Sequence, residues 1–182
     1  IAGRIEEEYE KWDVTSALVS IGGNIDVFGR KPDGSRYTLG IRDPASQTGI
    51  LIIGKLQAED CVVARAGAYE RYFEQDGVVY HHILDPNTGY PAQTDLLSVS
   101  VISEDGGLAD FLSTTLFMAG REHIEDYIHD SRFDVIVIDK QHNVYVSDGI
   151  RGRFELTNTE EYTLAGSPAS GEPEGTAGEE GA

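Results

Sequence analysis

A loop near the middle of the chain reads His82-Ile83-Leu84-Asp85-Pro86-Asn87-Thr88-Gly89-Tyr90-Pro91. Its composition predicts a rigid turn, because Pro86 fixes its own φ, Asp85 can accept hydrogen bonds from the amides that follow it, and Gly89 tolerates a positive φ. An imidazole exchanges its proton near neutral pH, so His82 at the start of such a turn is suited to acid–base chemistry. The alternative interpretation is a histidine at the end of a strand, followed by an ordinary loop.

Two further motifs lie on either side of this loop. Upstream, Ile21-Gly22-Gly23-Asn24-Ile25 follows an apolar run, and downstream residues 108–120 read LADFLSTTLFMAG. In this order and spacing, the three stretches resemble the ApbE family, the FAD:protein FMN transferases. The matching patterns are an LGGN-type strand and turn, an H-I-x-D-P-x-T-G-x-P loop and an A-D-x-x-x-T helix start. The loop is the most specific of the three, and the resemblance covers about residues 1–164.

The resemblance implies a reaction and a metal. ApbE-like enzymes use FAD as substrate, split its pyrophosphate, transfer FMN to a Thr or Ser hydroxyl of a target protein and release AMP, and they need a divalent metal, usually Mg²⁺. Asp110 and Thr114 match the family's side-chain metal ligands. Their i, i+4 spacing places both oxygens on one face of a predicted helix N-terminus, which also favours an anionic pyrophosphate. The alternative is an Asp that stabilises the helix dipole beside an incidental Thr.

The resemblance also assigns residues to catalysis and to FAD binding. His82 matches the family histidine that takes or positions the proton of the acceptor hydroxyl. His81 is its neighbour, and because side chains alternate along a strand, only one of the two can serve. Asn24 matches a position lining the flavin pocket, where Gly22 and Gly23 let the ligand approach the backbone closely.

Tyr69 and Arg71 are the remaining candidates for FAD binding. They lie in the stretch AGAYERYF, residues 66–73, where the family pattern is S-G-D-Y-x-R-Y-F. Alanine replaces both the Ser and the Asp of that pattern, so a hydroxyl and a carboxylate are absent from this loop. The alternative for Tyr69, Tyr72 and Phe73 is a place in the core of a strand.

Length, net charge and cysteine count limit the kinds of protein that this chain can be. The 182 residues are enough for one domain, and the formal net charge of −18 argues against a nucleic-acid partner, which favours a basic surface. Cys61 is the only cysteine, so it cannot form an internal disulfide, and we expect it to be buried in a strand. We expect His123, His129 and His142 to lie at the surface.

The pattern of apolar residues predicts an α+β fold, an antiparallel sheet meander with two or three packed helices. Residues 1–13 form a predicted helix with Ile5, Tyr9 and Trp12 on one apolar stripe. A second predicted helix covers residues 109–119. A third covers residues 121–131, with Ile124, Tyr127 and Ile128 facing inward. Residues 150–154 remain ambiguous.

Domain limits follow from composition and from the resemblance. Residues 1–164 resemble the C-terminal part of an ApbE-like domain, and residues 165–182 form a predicted disordered acidic tail rich in Gly, Pro and Glu. The N-terminal half of the family fold, with a G-x-I-A-K-G-Y segment that supplies a backbone metal ligand, would precede Ile1. We therefore expect this chain alone to be inactive, and to self-associate through the face that the other half would cover.

Other functions remain open at this stage. A metal-dependent FAD pyrophosphatase would form FMN and AMP with water as acceptor, and a non-catalytic flavin-binding or interaction module would keep only the fold. ApbE-like proteins usually act outside the cytoplasm, so the resemblance implies an extracytoplasmic, membrane-associated location through an N-terminal anchor. The chain itself contains no run of about 18 apolar residues.

Overall fold

The computed structural model describes residues 8–9, 11–46 and 50–165. The helices whose bounds are fully described are α1 (Gly106–Ala119), α2 (Asp148–Arg151) and a 3₁₀ helix (Arg121–Asp126), and they follow a helical segment that includes residues 8, 9 and 11. The strands are β1 (Ser16–Ile21), β2 (Asn24–Gly29), β3 (Tyr37–Arg42), β4 (Ile52–Ala58), β5 (Cys61–Gly67), β6 (Tyr72–Gln75), β7 (Val78–His81), β8 (Leu96–Ser103), β9 (Asp134–Asp139), β10 (Asn143–Val146), β11 (Phe154–Leu156) and β12 (Thr163–Leu164).

Three sheets organise these strands. The largest has the order β1-β2-β5-β8-β9-β10-β12, and its neighbours are antiparallel except for the short parallel pair β10 and β12. A second sheet has the order β11-β4-β3, and β6 and β7 form a separate hairpin. The predicted α+β fold with mainly antiparallel strands is therefore confirmed. The strands form three sheets, however, and not the single meander that the sequence predicted.

The central strands of the large sheet, such as β5 and β8, are buried on both faces. One face packs against α1, where Phe117 and Leu116 meet strand residues such as Val99. The opposite face packs against the three-stranded sheet, where Val27 and Leu56 belong to a second apolar cluster. Helix α1, the large sheet and the small sheet thus form three layers, with burial on both sides of the central layer.

Several local predictions need correction. The predicted helix 121–131 is a 3₁₀ helix that ends at Asp126 and continues as a turn. Ile124 and Ile128 are buried as predicted, but Tyr127 is 38% exposed. The ambiguous residues 150–154 divide between the end of α2 and the start of β11.

The two ends of the chain are described only in part. Glu8, Tyr9 and Lys11 are helical, as predicted, whereas residues 1–7 and 10 lie outside the described residues. Tyr9 packs on Phe28 with a ring-centroid distance of 5.3 Å. The predicted helix 1–13 extends too far, because Trp12 and Asp13 form a turn, and Trp12 is 78% exposed among the described residues. Of the predicted tail, only Ala165 is described, and its amide donates to the Val144 carbonyl at 2.9 Å.

Cysteine and histidine environments are largely as predicted. Cys61 is buried in β5, and burial raises the pKa of its thiol to about 11, which keeps it protonated. His123 and His129 are exposed. His142 is instead half-buried, because its ring stacks on Tyr162 at 4.8 Å.

Asp26 is an unusual residue on the helix-facing side of β2. It is 7% exposed, and within the described residues neither carboxylate oxygen has a hydrogen-bond partner. Burial raises the pKa of Asp26, because the charged carboxylate is disfavoured away from water. A raised folded-state pKa leaves stability intact at acid pH and lowers it as the pH rises through that pKa.

Replacing Asp26 with asparagine should therefore stabilise the protein increasingly as the pH rises from 3 to 7. The gain should approach about 1.4 kcal/mol for each unit by which the fold raises this pKa. Urea unfolding at several pH values measures it. Asp33→Asn is the control of opposite sign, because hydrogen bonds from Ser35 lower the pKa of Asp33. A pH-independent difference between Asp26→Asn and the parent chain would contradict the assignment.

Candidate active site

The Gly22-Gly23 turn positions the first candidate residue. Strands β1 and β2 pair up to Ile21 and Asn24, so the two glycines alone form the hairpin loop. Their φ values of 63° and 95° are positive, as a type I′ turn requires at both central positions. Asn24 is consequently fixed as the first residue of β2, with its side chain on the face that meets α1.

Asn24 and Asp110 meet across 86 residues of sequence. The Asn24 amide donates to Asp110 Oδ1 at 2.9 Å. This bond leaves the second carboxylate oxygen of Asp110 for another ligand and orients the carboxylate relative to the glycine turn. The structure therefore brings a predicted flavin-pocket residue directly against a predicted metal ligand.

The position of Asp110 in its helix differs from the prediction. Helix α1 begins at Gly106, and Asp105 caps it by accepting from the amides of Gly107 at 2.8 Å and Leu108 at 3.1 Å. Asp110 lies in the second turn, so the expected placement at the helix N-terminus was wrong. The first amides of the helix that Asp105 caps, those of Gly107 and Leu108, already donate to its side chain. The residues Asp105-Gly106-Gly107 carried the cap signal that the sequence argument missed.

Thr114 lies one turn further along the same face of α1 and is exposed. The neighbouring hydroxyls bond back to the helix, Ser113 to the Asp110 carbonyl and Thr115 to the Phe111 carbonyl, both at 2.9 Å. Within the described residues, no such bond occupies the Thr114 hydroxyl. Among three consecutive hydroxyls, Thr114 is thus the one available as a ligand.

The chemistry of these two donors fits a hard cation. Carboxylate and hydroxyl oxygens suit Mg²⁺, which keeps several water or phosphate ligands. In the part of the chain that the structure describes, no group of three or more His, Cys, Asp or Glu side chains could hold a metal. A metal ion bound here would take side-chain oxygens only from Asp110 and Thr114 among the described residues, and its further ligands would come from water, substrate or other protein groups.

The two adjacent histidines have different environments. His81 ends β7, is 9% exposed and lies edge-on to Phe117 of α1, with ring centroids 6.1 Å apart. Its Nε2 is 3.2 Å from the Ala92 carbonyl, and burial lowers its pKa, so His81 is a neutral core residue. His82 is exposed, which matches the expected alternation and leaves His82 as the one of the pair that is open to solvent.

Backbone contacts hold His82 in place. Its amide donates to the Arg71 carbonyl at 3.1 Å, and its Nδ1 lies 3.3 Å from the same oxygen. A proton on Nδ1 that is donated to this carbonyl leaves Nε2 as the basic nitrogen. The Asp-Pro turn is rigid as predicted, since Asp85 Oδ1 accepts from the Asn87 amide at 2.8 Å and the Gly89 amide donates to the Asp85 carbonyl at 2.8 Å.

Tyr69 and Arg71 contribute in different ways. Arg71 is exposed, and its contact with the site is the backbone carbonyl that holds His82. Tyr69 lies in the turn after β5 and is half-buried. Tyr72 and Phe73, at 57% and 59% exposure, are not core residues of β6, so the core interpretation was wrong for this pair.

Glu70 is a site residue that the sequence argument passed over. One of its oxygens, Oε1, accepts from Arg65 Nη2 at 2.5 Å. The other, Oε2, would lie 3.9 Å from a Cβ atom placed on Gly23. Glu70 therefore lies close to the glycine turn, and no local sequence pattern predicts this proximity of two distant segments.

These features agree with comparisons to known proteins. The family model described as the ApbE family matches residues 1–137. This chain belongs to the ApbE family. Its relatives include the FAD:protein FMN transferase of Klebsiella pneumoniae (strain 342), 37% identical over 155 residues that make up 85% of this chain and 47% of that protein. The FAD:protein FMN transferase of Treponema pallidum (strain Nichols) is 42% identical over 132 residues, or 67% of this chain and 36% of that protein.

Solved ApbE structures share the fold. The ApbE protein of Thermotoga maritima superposes with a TM-score of 0.72 and 32% identity, covering 81% of this chain and 48% of its own. The flavin transferase ApbE of Vibrio cholerae gives a TM-score of 0.69 at 27% identity, covering 84% of this chain and 48% of its own. The α+β prediction is confirmed. The chain spans less than half the length of each of these four proteins.

Proposed function

We propose that this ApbE-family chain carries the proton-accepting and part of the metal-binding machinery of an FAD:protein FMN transferase. The observation that carries the proposal is the hydrogen bond between Asn24 and Asp110, because it joins two of the three family motifs at one point. Its relatives in Klebsiella pneumoniae and Treponema pallidum are FAD:protein FMN transferases, which supports flavin transfer as the reaction class. FAD is the proposed substrate, and a protein with a Thr or Ser hydroxyl is the proposed acceptor.

The side chains have distinct proposed roles. Asp110 and Thr114 hold Mg²⁺, and Asn24 orients the Asp110 carboxylate by its amide hydrogen bond. Bound Mg²⁺ would neutralise charge on the FAD pyrophosphate. Gly22 and Gly23 allow close approach of the flavin to the backbone.

His82 is the proposed general base. The acceptor hydroxyl oxygen forms a bond to the FMN phosphorus, the bond from that phosphorus to the oxygen of AMP breaks, and AMP leaves. His82 Nε2 takes the hydroxyl proton, while its Nδ1 side is held by the Arg71 carbonyl. Exposure of His82 gives a protein-borne hydroxyl access to this nitrogen.

We expect residues 1–182 alone not to transfer FMN, because two side-chain ligands are too few to fix a pyrophosphate in line for attack. The measurement is mass spectrometry of an acceptor protein incubated with FAD, Mg²⁺ and this chain, with a full-length ApbE-family transferase as positive control. Repeated labelling by this chain alone would contradict the expectation. Free FMN and AMP without labelling would favour a pyrophosphatase, and FAD binding without turnover would favour a non-catalytic module.

Two proposals concern the surroundings of the chain. Exposed apolar side chains, such as Ile21 at 49% and Phe111 at 65%, are the proposed basis of self-association, which sedimentation velocity measures.

In the described residues, no helix is long and apolar enough to cross a membrane. The proposed extracytoplasmic, membrane-associated location through an N-terminal anchor is tested by fractionating cells that express the native gene.

A further inference from the structure

Phe73 and Tyr80 form a stacked aromatic pair on the β6–β7 hairpin. They oppose each other in the register of the hairpin, and their ring centroids are 5.1 Å apart with an angle of 9° between the ring planes. Phe73 is 59% exposed, and Tyr80 is partly exposed. The pair therefore presents apolar surface to solvent on one face of the hairpin.

His82 lies on the same face of the hairpin as this pair. Tyr80 and His82 are two residues apart and therefore point to the same side. His81, between them, points to the opposite side, together with Tyr72, its partner in the register. The amide of His82 donates to the Arg71 carbonyl, which extends the pairing of the two segments by one step. The rise of a strand places the Cα atoms of Tyr80 and His82 about 7 Å apart.

The hairpin extends away from the helix that carries the proposed metal ligands. At its base, His81 packs against Phe117 of α1, whereas all four residues of β6 are exposed. Among the described strands, β6 and β7 pair only with each other. The Phe73–Tyr80 pair lies one step from this base toward the exposed tip, so it belongs to the surface beside His82 on the side away from α1.

We propose that the Phe73–Tyr80 pair binds the acceptor protein by packing against an apolar side chain within two residues of the Thr or Ser that receives FMN. The inference rests on the proposed function, in which His82 takes the proton of that hydroxyl. When the hydroxyl is at His82, a side chain within two residues of it can span the distance of about 7 Å to the pair. Aromatic side chains bury a large apolar area and are enriched at binding surfaces. The pair thus determines which acceptors are used and takes no part in the chemistry.

The first test offers a peptide library to the native gene product that contains this chain, together with FAD and Mg²⁺. Each peptide has a central Thr with two randomised positions on either side, and mass spectrometry identifies the peptides that receive FMN. We expect enrichment of aromatic and large aliphatic residues at the randomised positions, and we expect Phe73→Ala to abolish it. Tyr72→Ala is the matched control and should keep the enrichment, because Tyr72 is 57% exposed on the opposite face.

The outcomes of this test separate the inference from the proposed function. Labelled peptides without the enrichment, or an equal loss of enrichment in Phe73→Ala and Tyr72→Ala, would overturn the inference alone. A library in which no peptide is labelled would contradict the proposed transferase function, and the inference would fall with it.

The second test measures transfer kinetics with one labelled peptide from the library. Phe73→Ala should raise the KM for the peptide about tenfold or more and leave kcat and FAD affinity unchanged, because it removes a contact with the acceptor and keeps His82 in place. Tyr80→Phe keeps a ring for stacking and should behave like the parent protein. Weaker FAD binding in Phe73→Ala would assign the pair to the flavin, and a Tm well below that of Tyr72→Ala would assign it to an internal contact. Either result would overturn the inference.

Discussion

Replacing Asp110 with alanine should abolish Mg²⁺ binding and lower FMN transfer about 10³-fold or more in the native gene product that contains this chain. The carboxylate is the one charged side-chain ligand that the described residues offer at this point of α1, beside the hydroxyl of Thr114. Loss of a metal that stabilises transition-state charge costs several kcal/mol, and about 4 kcal/mol corresponds to a 10³-fold loss of rate. Isothermal titration with Mg²⁺ and the mass-spectrometric transfer assay measure the two effects.

Asp105→Ala is the matched control on the same helix. Asp105 caps α1 by accepting from the amides of Gly107 and Leu108, whereas the hydrogen bond from Asn24 goes to Asp110. We expect this variant to lose about 1 kcal/mol of stability, as helix caps typically do, and to keep its Mg²⁺ affinity. The Mg²⁺ affinity of Asn24→Ala should lie between the affinities of Asp110→Ala and Asp105→Ala, because in Asn24→Ala the Asp110 carboxylate keeps its charge but loses its orienting bond. Equal Mg²⁺ affinity in Asp110→Ala and Asp105→Ala would exclude Asp110 as a ligand.

Replacing His82 with alanine should reduce FMN transfer about 10²-fold or more, the usual scale for a general acid–base group, and should leave FAD affinity largely intact. The physical reason is that the exposed ring, held by the Arg71 carbonyl, is lost without removing any core contact. Single-turnover transfer at saturating FAD gives the rate, and quenching of flavin fluorescence gives the affinity.

His81→Ala distinguishes chemistry from folding. His81 is buried against Phe117, so its removal leaves a cavity and should lower Tm, with far less effect on the transfer rate per folded molecule. Loss of FAD affinity rather than rate in His82→Ala would count against a chemical role for His82. Equal loss of rate in both variants, measured on folded protein, would count against it as well.

The sequence by itself determined the features that depend on local chemistry. Gly22-Gly23 requires a tight hairpin because both residues adopt positive φ, and the Asp85-Pro86 turn closes through the side chain of Asp85. Alternation along β7 predicted that only one of His81 and His82 is open to solvent. These features depend on residues that are adjacent in the chain, so the amino-acid sequence alone is enough to predict them.

Only the tertiary structure decided the features that depend on contacts between distant segments. The family resemblance placed Asn24 and Asp110 in one site, but their hydrogen bond depends on how α1 lies across β2. The approach of Glu70 to Gly23 depends on how the turn after β5 lies beside the β1–β2 hairpin, and no local pattern in the sequence predicts it. The helix after Gly120 was mispredicted because apolar residues at 124, 127 and 128 fit both an α-helix and the tighter 3₁₀ helix with its following turn. Tertiary packing buries Ile124 and Ile128 and leaves Tyr127 partly exposed, which spacing alone could not decide.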